Sequence, residues 1–155
     1  MNTLGEILAE APFFAGLPAE TIELIAGCGS NVQFNPGALI FREGDEADAF
    51  YLLRHGSVAI ESFAPNGGPL VIETLESGDV LGWSWLFAPY RWHFDAHALT
   101  VVRATSFDGA CLRAKCDADP QLGYMLVSRF AQTLIERLQW TRLRLLDVYG
   151  HVGPR

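Results

Sequence analysis

The chain has 155 residues, half of them hydrophobic and 19% charged, with a net charge of −7 at neutral pH. That balance allows one compact domain with a real core and disfavours a phosphate-binding surface, which is built from Lys and Arg. No apolar run approaches the roughly 18 residues of a membrane span, and Met1-Asn2-Thr3-Leu4-Gly5-Glu6 lacks the basic region of a secretory signal, so the expectation is a soluble, cytoplasmic protein that does not contact membranes.

Thr3 to Ala11 places Leu4, Ile7, Leu8 and Ala11 on one helical face, and Pro12 ends it. Phe13 to Pro18 is a hydrophobic turn, and Pro18 opens a second helix through Ile22, Leu24 and Ile25 that closes near Gly27 or Gly29. From Asn31 the period becomes two. Val32 to Phe34, Leu39 to Phe41, Phe50 to Leu53, Val58 to Ile60 and Leu70 to Ile72 read as short strands. Turns at Asn35-Pro36-Gly37, Glu43-Gly44-Asp45, His55-Gly56, Pro65 to Pro69 and Ser77-Gly78-Asp79 separate them. Such spacing predicts a mainly β domain with flanking helices, a small antiparallel jelly-roll barrel.

Gly78 to Ala98 draws attention because Trp83, Trp85 and Trp92 are three of the four Trp in the chain, beside Arg91, His93 and His97. Large π faces next to cationic and polar tips suit a ligand site, and equally suit a plug for a barrel mouth. His93 and His97 read as structural, since on a strand their Cβ atoms stand about 13 Å apart. Leu99 to Phe107 is the last strand stretch, broken at Gly109.

Asp119-Pro120 is an N-cap followed by Pro at the first helical position, and nothing breaks the helix until Gly150. At ~1.5 Å per residue it reaches about 45 Å, longer than the barrel it packs on. Val127, Phe130, Leu134, Leu138, Thr141, Leu145 and Val148 step by threes and fours as a coiled-coil seam does. Leu122, Met125, Leu126, Ile135, Leu143 and Leu146 form a second stripe that can cover the barrel. Two apolar faces predict a homodimer with Phe130, Leu134, Leu138, Thr141 and Leu145 at its interface.

Three cysteines at unpatterned spacing (Cys28, Cys111, Cys116) argue for buried thiols in a reducing compartment rather than a disulfide framework. Charge is unevenly spread: up to Leu112 four Arg face fourteen acids, whereas seven of the eleven cations lie from Arg113 on. No nucleophile–base set sits in strand–turn context, so neither an enzyme nor a metal site is expected.

The run Ile40-Phe41-Arg42-Glu43-Gly44-Asp45-Glu46-Ala47-Asp48-Ala49-Phe50-Tyr51-Leu52-Leu53-Arg54-His55-Gly56 resembles the first signature of the cyclic-nucleotide-binding domain family. Phe13 to Pro18 is similar to that family's F-x-G-L segment and Asn35-Pro36-Gly37 to its Pro-Gly turn. The resemblance implies two short helices over 3–29, a β-roll over 31–108 and a dimerisation helix over 119–149 within a domain spanning 1–150, with 151–155 a tail.

It also implies a phosphate-binding cassette in which a Glu accepts the ribose 2′-hydroxyl and an Arg pairs with the cyclic phosphate. Here Leu81-Gly82 is kept, but Trp83 stands at the Glu position, Trp85 at the small residue, and Trp92-His93 at Arg-Ser, with Arg91 one residue early. The ligand-binding set expected from this variant cassette is Gly82, Trp83, Ser84, Trp85, Leu86, Arg91, Trp92 and His93. Arg137-Leu138-Gln139-Trp140-Thr141 resembles the place where a Thr of catabolite-activator-type regulators meets the nucleotide base, which adds Thr141.

Leu145 to Gly150 resembles the hinge leading to a helix-turn-helix domain. Only five residues follow, so this chain alone is expected not to bind DNA. The reading is a stand-alone sensor module for a small ligand, anionic ones included, with cyclic AMP and cyclic GMP disfavoured as ligands and no cofactor assigned. The alternative is a non-binding domain that acts through a protein partner.

Overall fold

The computed structural model describes residues 3–63, 65 and 67–152, with the side chains of 145 and 147–152 excepted. Two short helices, α1 (Leu4–Glu10) and α2 (Ala19–Ala26), lead into eight strands: β1 (Gly29–Phe34), β2 (Leu39–Phe41), β3 (Ala49–His55), β4 (Val58–Phe63), β5 (Pro69–Leu75), β6 (Val80–Leu81), β7 (Asp95–Ala98) and β8 (Val102–Asp108). Two more helices, α3 (Gly109–Ala118) and α4 (Pro120–Val152), complete the described residues. The strands form two four-stranded sheets of order β1-β8-β3-β6 and β2-β7-β4-β5, with antiparallel pairing throughout. The expected jelly roll is present, and no helix among the described residues is long and apolar enough to cross a membrane.

In the first sheet the central strands β3 and β8 carry buried side chains on both faces, since successive side chains alternate across it. Along β3, Phe50 and Leu52 point to the helices while Leu53 joins the roll interior. Along β8, Phe107 faces the helices while Val102 and Ala104 face the roll. The helix-side core collects Leu8, Phe14, Ile25, Leu112, Leu122, Leu126 and Phe130, and the roll-side core holds Phe41, Val58, Leu81, Trp92 and Ala96.

Thr3 caps α1 with a reciprocal Glu6 contact. Asp108 caps α3, a helix that the break expected at Gly109 does not anticipate: its side chain accepts from the Cys111 backbone N–H at 2.9 Å.

Two sequence expectations are corrected here. Cys28 and Cys111 are joined in a disulfide across 83 residues of sequence. The β1–β8 pairing carries α3 to the end of α2, and the Asp108 N–H donates to the Cys28 carbonyl at 2.9 Å. This overturns the reading of three buried thiols and the argument for a reducing compartment drawn from it.

The second correction concerns α4. Its roll-covering row is Leu122, Leu126 and Phe130, each at most 2% exposed. Phe130 therefore belongs to the chain's own core rather than to a dimer seam: its ring lies 4.9 Å from Phe13, 5.1 Å from Phe50 and 5.7 Å from Trp85. Ile135, Leu143 and Leu146, expected to cover the barrel, are exposed, as are Val127 and Leu138. Leu134 is half-buried, and the side chain of Leu145 lies outside the described residues.

A cavity between the roll and the long helix

The chain turns out of β6 at Gly82, whose φ is +95°. A Cβ there would meet the Trp92 ring at 2.7 Å, so only Gly fits against the indole. From this turn the three tryptophans of the loop part company. Trp85, in a single 3-10 turn (Ser84–Leu86), is fully buried on the helix side, stacked on Phe50 with centroids 5.2 Å apart. Trp92 points into the roll and stacks on Phe41 at 3.7 Å with rings 5° from parallel. Trp83 is half-buried beneath α4, edge-on to Phe94 at 5.7 Å.

Backbone pairing to the 42–47 turn fixes the return leg of the loop. Trp92 donates to Asp45 at 3.0 Å, Gly44 to Trp92 at 2.8 Å and Ala47 to Tyr90 at 2.7 Å. The Arg113 guanidinium of α3 donates to the Trp85 carbonyl and covers the Tyr90 ring at 4.4 Å.

Beside the Phe41–Trp92 stack lies a cavity of about 270 Å³, walled by β4, β5, the Gly82 turn, Phe94 and α4. Of the expected ligand-binding residues, Gly82, Trp83, Ser84, Trp92 and Thr141 line it, as do Leu134 and Leu138 from the expected dimer set. The rest are placed elsewhere. Trp85 and Leu86 pack in the helix-side core. Arg91 is exposed, its backbone bridged to Glu46. His93 is exposed and precedes β7, so it does not share a strand with His97, which pairs with Glu61.

The cation at the cavity is Arg137, not named among the expected ligand-binding residues. Its guanidinium donates to the Val80 carbonyl, sits 3.4 Å from the Glu73 carboxylate and stands over the Trp83 ring at 5.3 Å. Burial draws Arg137 below its ordinary pKa against the pull of Glu73, and burial raises Glu73 against the pull of Arg137. Desolvation is thus the largest contribution to the shift of each partner. A stepped spacing along α4 signals the arrangement: Arg129, Arg137 and Arg144 recur every two helical turns, and donate to the carbonyls of Phe13, Val80 and Ile72 respectively. They read as a solvated charged face in the sequence because their acceptors are backbone atoms.

The geometry first defines a β-roll domain with a half-open cavity between the roll and its long last helix. Comparison with known proteins then gives its family. The sequence profile of the cyclic nucleotide-binding domain matches residues 31–119. The chain is 30% identical over 145 residues to the CRP-like cAMP-activated global transcriptional regulator of Mycobacterium tuberculosis, covering 94% of this chain and 63% of that protein. It therefore spans less than two thirds of that relative's length.

A Geobacter metallireducens protein described as cyclic nucleotide-binding has the same fold with a TM-score of 0.79 and 30% identity, covering 89% of this chain and 99% of that one. The Thermus thermophilus catabolite activator protein shares the fold at a TM-score of 0.71 and 23% identity, over 90% of this chain and 63% of that one. The chain belongs to the cyclic nucleotide-binding domain family, and its likeness runs to Crp-like regulators.

Proposed function

We propose that this domain is a regulatory sensor whose cavity under α4 receives a small molecule other than a cyclic nucleotide. The observation that carries this is the position of Trp92: its ring presses on Gly82 at the variant cassette and is locked there by Phe41. The space beside it stays open. A cyclic nucleotide would lack the family's cassette carboxylate for its ribose, since Trp83 stands in that place, and a free Arg for its phosphate, since Arg91 faces solvent and Arg137 is already paired. Each lost bond to a charged group costs about 1.5–3 kcal/mol, and together they turn micromolar affinity into millimolar. Calorimetry with cyclic AMP and cyclic GMP tests it, with no low-micromolar dissociation constant expected. Low-micromolar binding that disappears in Arg91→Ala would show that Arg91 swings inward and would overturn the reading.

The same reading assigns the exposed face of α4, with Val127, Ile135, Leu138 and Leu146, to a second copy of the chain. Sedimentation of the wild type and of Ile135→Asp checks this. A dimer split by the substitution is expected, and a wild-type monomer at micromolar concentration refutes it. With a charge of −7 and its cations concentrated toward α4, the chain is not expected to hold duplex DNA by itself.

A further inference from the structure

We infer that the ligand of this cavity is a neutral, planar heteroaromatic molecule carrying an N–H or O–H donor. The inference rests on the cavity being a ligand site and deepens that reading by giving the chemical class. Size comes first: the cavity of about 270 Å³ has room for a bicyclic ring system at interior packing density, and it shares Ile72, Glu73, Arg137 and Thr141 with a groove of about 590 Å³ alongside.

Charge comes next. Glu73 and Arg137 line the cavity at 3.4 Å from each other. In the groove alongside, Asp79 and Glu136 offset Arg129 and Arg144. Each of these three arginines already donates to a backbone carbonyl. A ligand anion would lose its hydration and meet a balanced field, so net charge is selected against.

The walls supply flat apolar surface. Trp83 and Phe94 meet edge to face on one side and the Phe41–Trp92 stack lies on another, geometry that suits an aromatic ring. Two of the polar groups on the wall, Glu73 and Thr141, have acceptor capacity to spare. The Glu73 carboxylate accepts only, and the Thr141 hydroxyl spends its proton on the Arg137 carbonyl at 2.9 Å, leaving its lone pairs free. A ligand donor is what these two oxygens lack.

A matched series of probes separates the requirements: indole is neutral with a donor, 1-methylindole lacks the donor, and indole-3-carboxylate adds a charge. Calorimetry, together with protein-observed NMR of the tryptophan side-chain N–H signals, reads binding to the full chain. Indole should bind at least about tenfold more tightly than 1-methylindole, as expected for one bond to a charged acceptor, and more tightly than indole-3-carboxylate, whose charge must be desolvated. Glu73→Gln should narrow the gap between indole and 1-methylindole, and Leu138→Trp, which places an indole at the cavity mouth, should abolish indole binding while the far-UV circular dichroism stays that of the folded chain.

Tighter binding of indole-3-carboxylate than of indole overturns the chemical class and leaves the cavity reading standing. Equal affinity for indole and 1-methylindole removes the donor requirement and overturns the inference in that form. If no probe binds up to millimolar concentration, or indole binding survives Leu138→Trp, the sensor reading of the cavity falls with it.

Discussion

Replacing Phe130 by Ala distinguishes a core residue of α4 from an interface residue. The ring is 1% exposed and contacts Phe13, Phe50 and Trp85 at centroid distances of 4.9, 5.1 and 5.7 Å. Truncating a buried Phe costs about 3–5 kcal/mol, part of it the transfer of the ring from an apolar environment and part the cavity left between neighbours that cannot all relax. For a chain of 155 residues, each kcal/mol moves the melting temperature by about 2–4 °C, so the fall should be on the order of 10 °C. Circular dichroism melts at low and high protein concentration are the assay. A core role gives the same drop at every concentration, whereas an interface role gives a drop that shrinks as protein is added. A variant that melts like the wild type, or differs from it only in its state of association, would refute the placement of Phe130 in the helix-side core.

Glu73→Gln tests the ion pair through pH. Burial raises the folded-state pKa of Glu73 above its ordinary 4.5. The stability this contributes is complete below the unfolded value and is lost as pH rises through the folded one. The melting temperature of the Gln variant should therefore rise relative to the wild type between mildly acidic and neutral pH, and a relative fall over that range contradicts the assignment. Reducing the Cys28–Cys111 disulfide opens a cross-link of 83 residues, worth about 4–5 kcal/mol by loop-closure entropy. Reductant should accordingly lower the melting temperature by on the order of 10 °C, and thiol titration of the unreduced chain should find Cys116 alone; three reactive thiols would contradict the pairing.

By itself the sequence marked out a roll of short strands flanked by helices. Alternating apolar residues bounded by Gly and Asn-Pro turns signal strands, and Asp119-Pro120 signals a helix start through local capping. It also marked 82–93 as a place where tryptophans displace the expected charges. Which way each indole points was a tertiary decision. Trp85 and Trp92 are seven residues apart, yet one fills the helix-side core and the other the roll, because a 3-10 turn and the pairing to the 42–47 turn rotate them to opposite sides of the first sheet.

The faces of α4 were likewise undecided. Its apolar residues satisfy two overlapping stripes, and only the position of Phe13, Phe50 and Trp85 makes Phe130 a core residue while leaving Leu138 exposed. Cys28 and Cys111 meet because β1 pairs with β8, a contact between distant segments that spacing does not encode. Arg137 looked like part of a charged surface for the same reason. Its partners are Glu73, the Val80 carbonyl and the Trp83 ring, three groups distant in sequence that share one wall only after the sheet has closed under the helix.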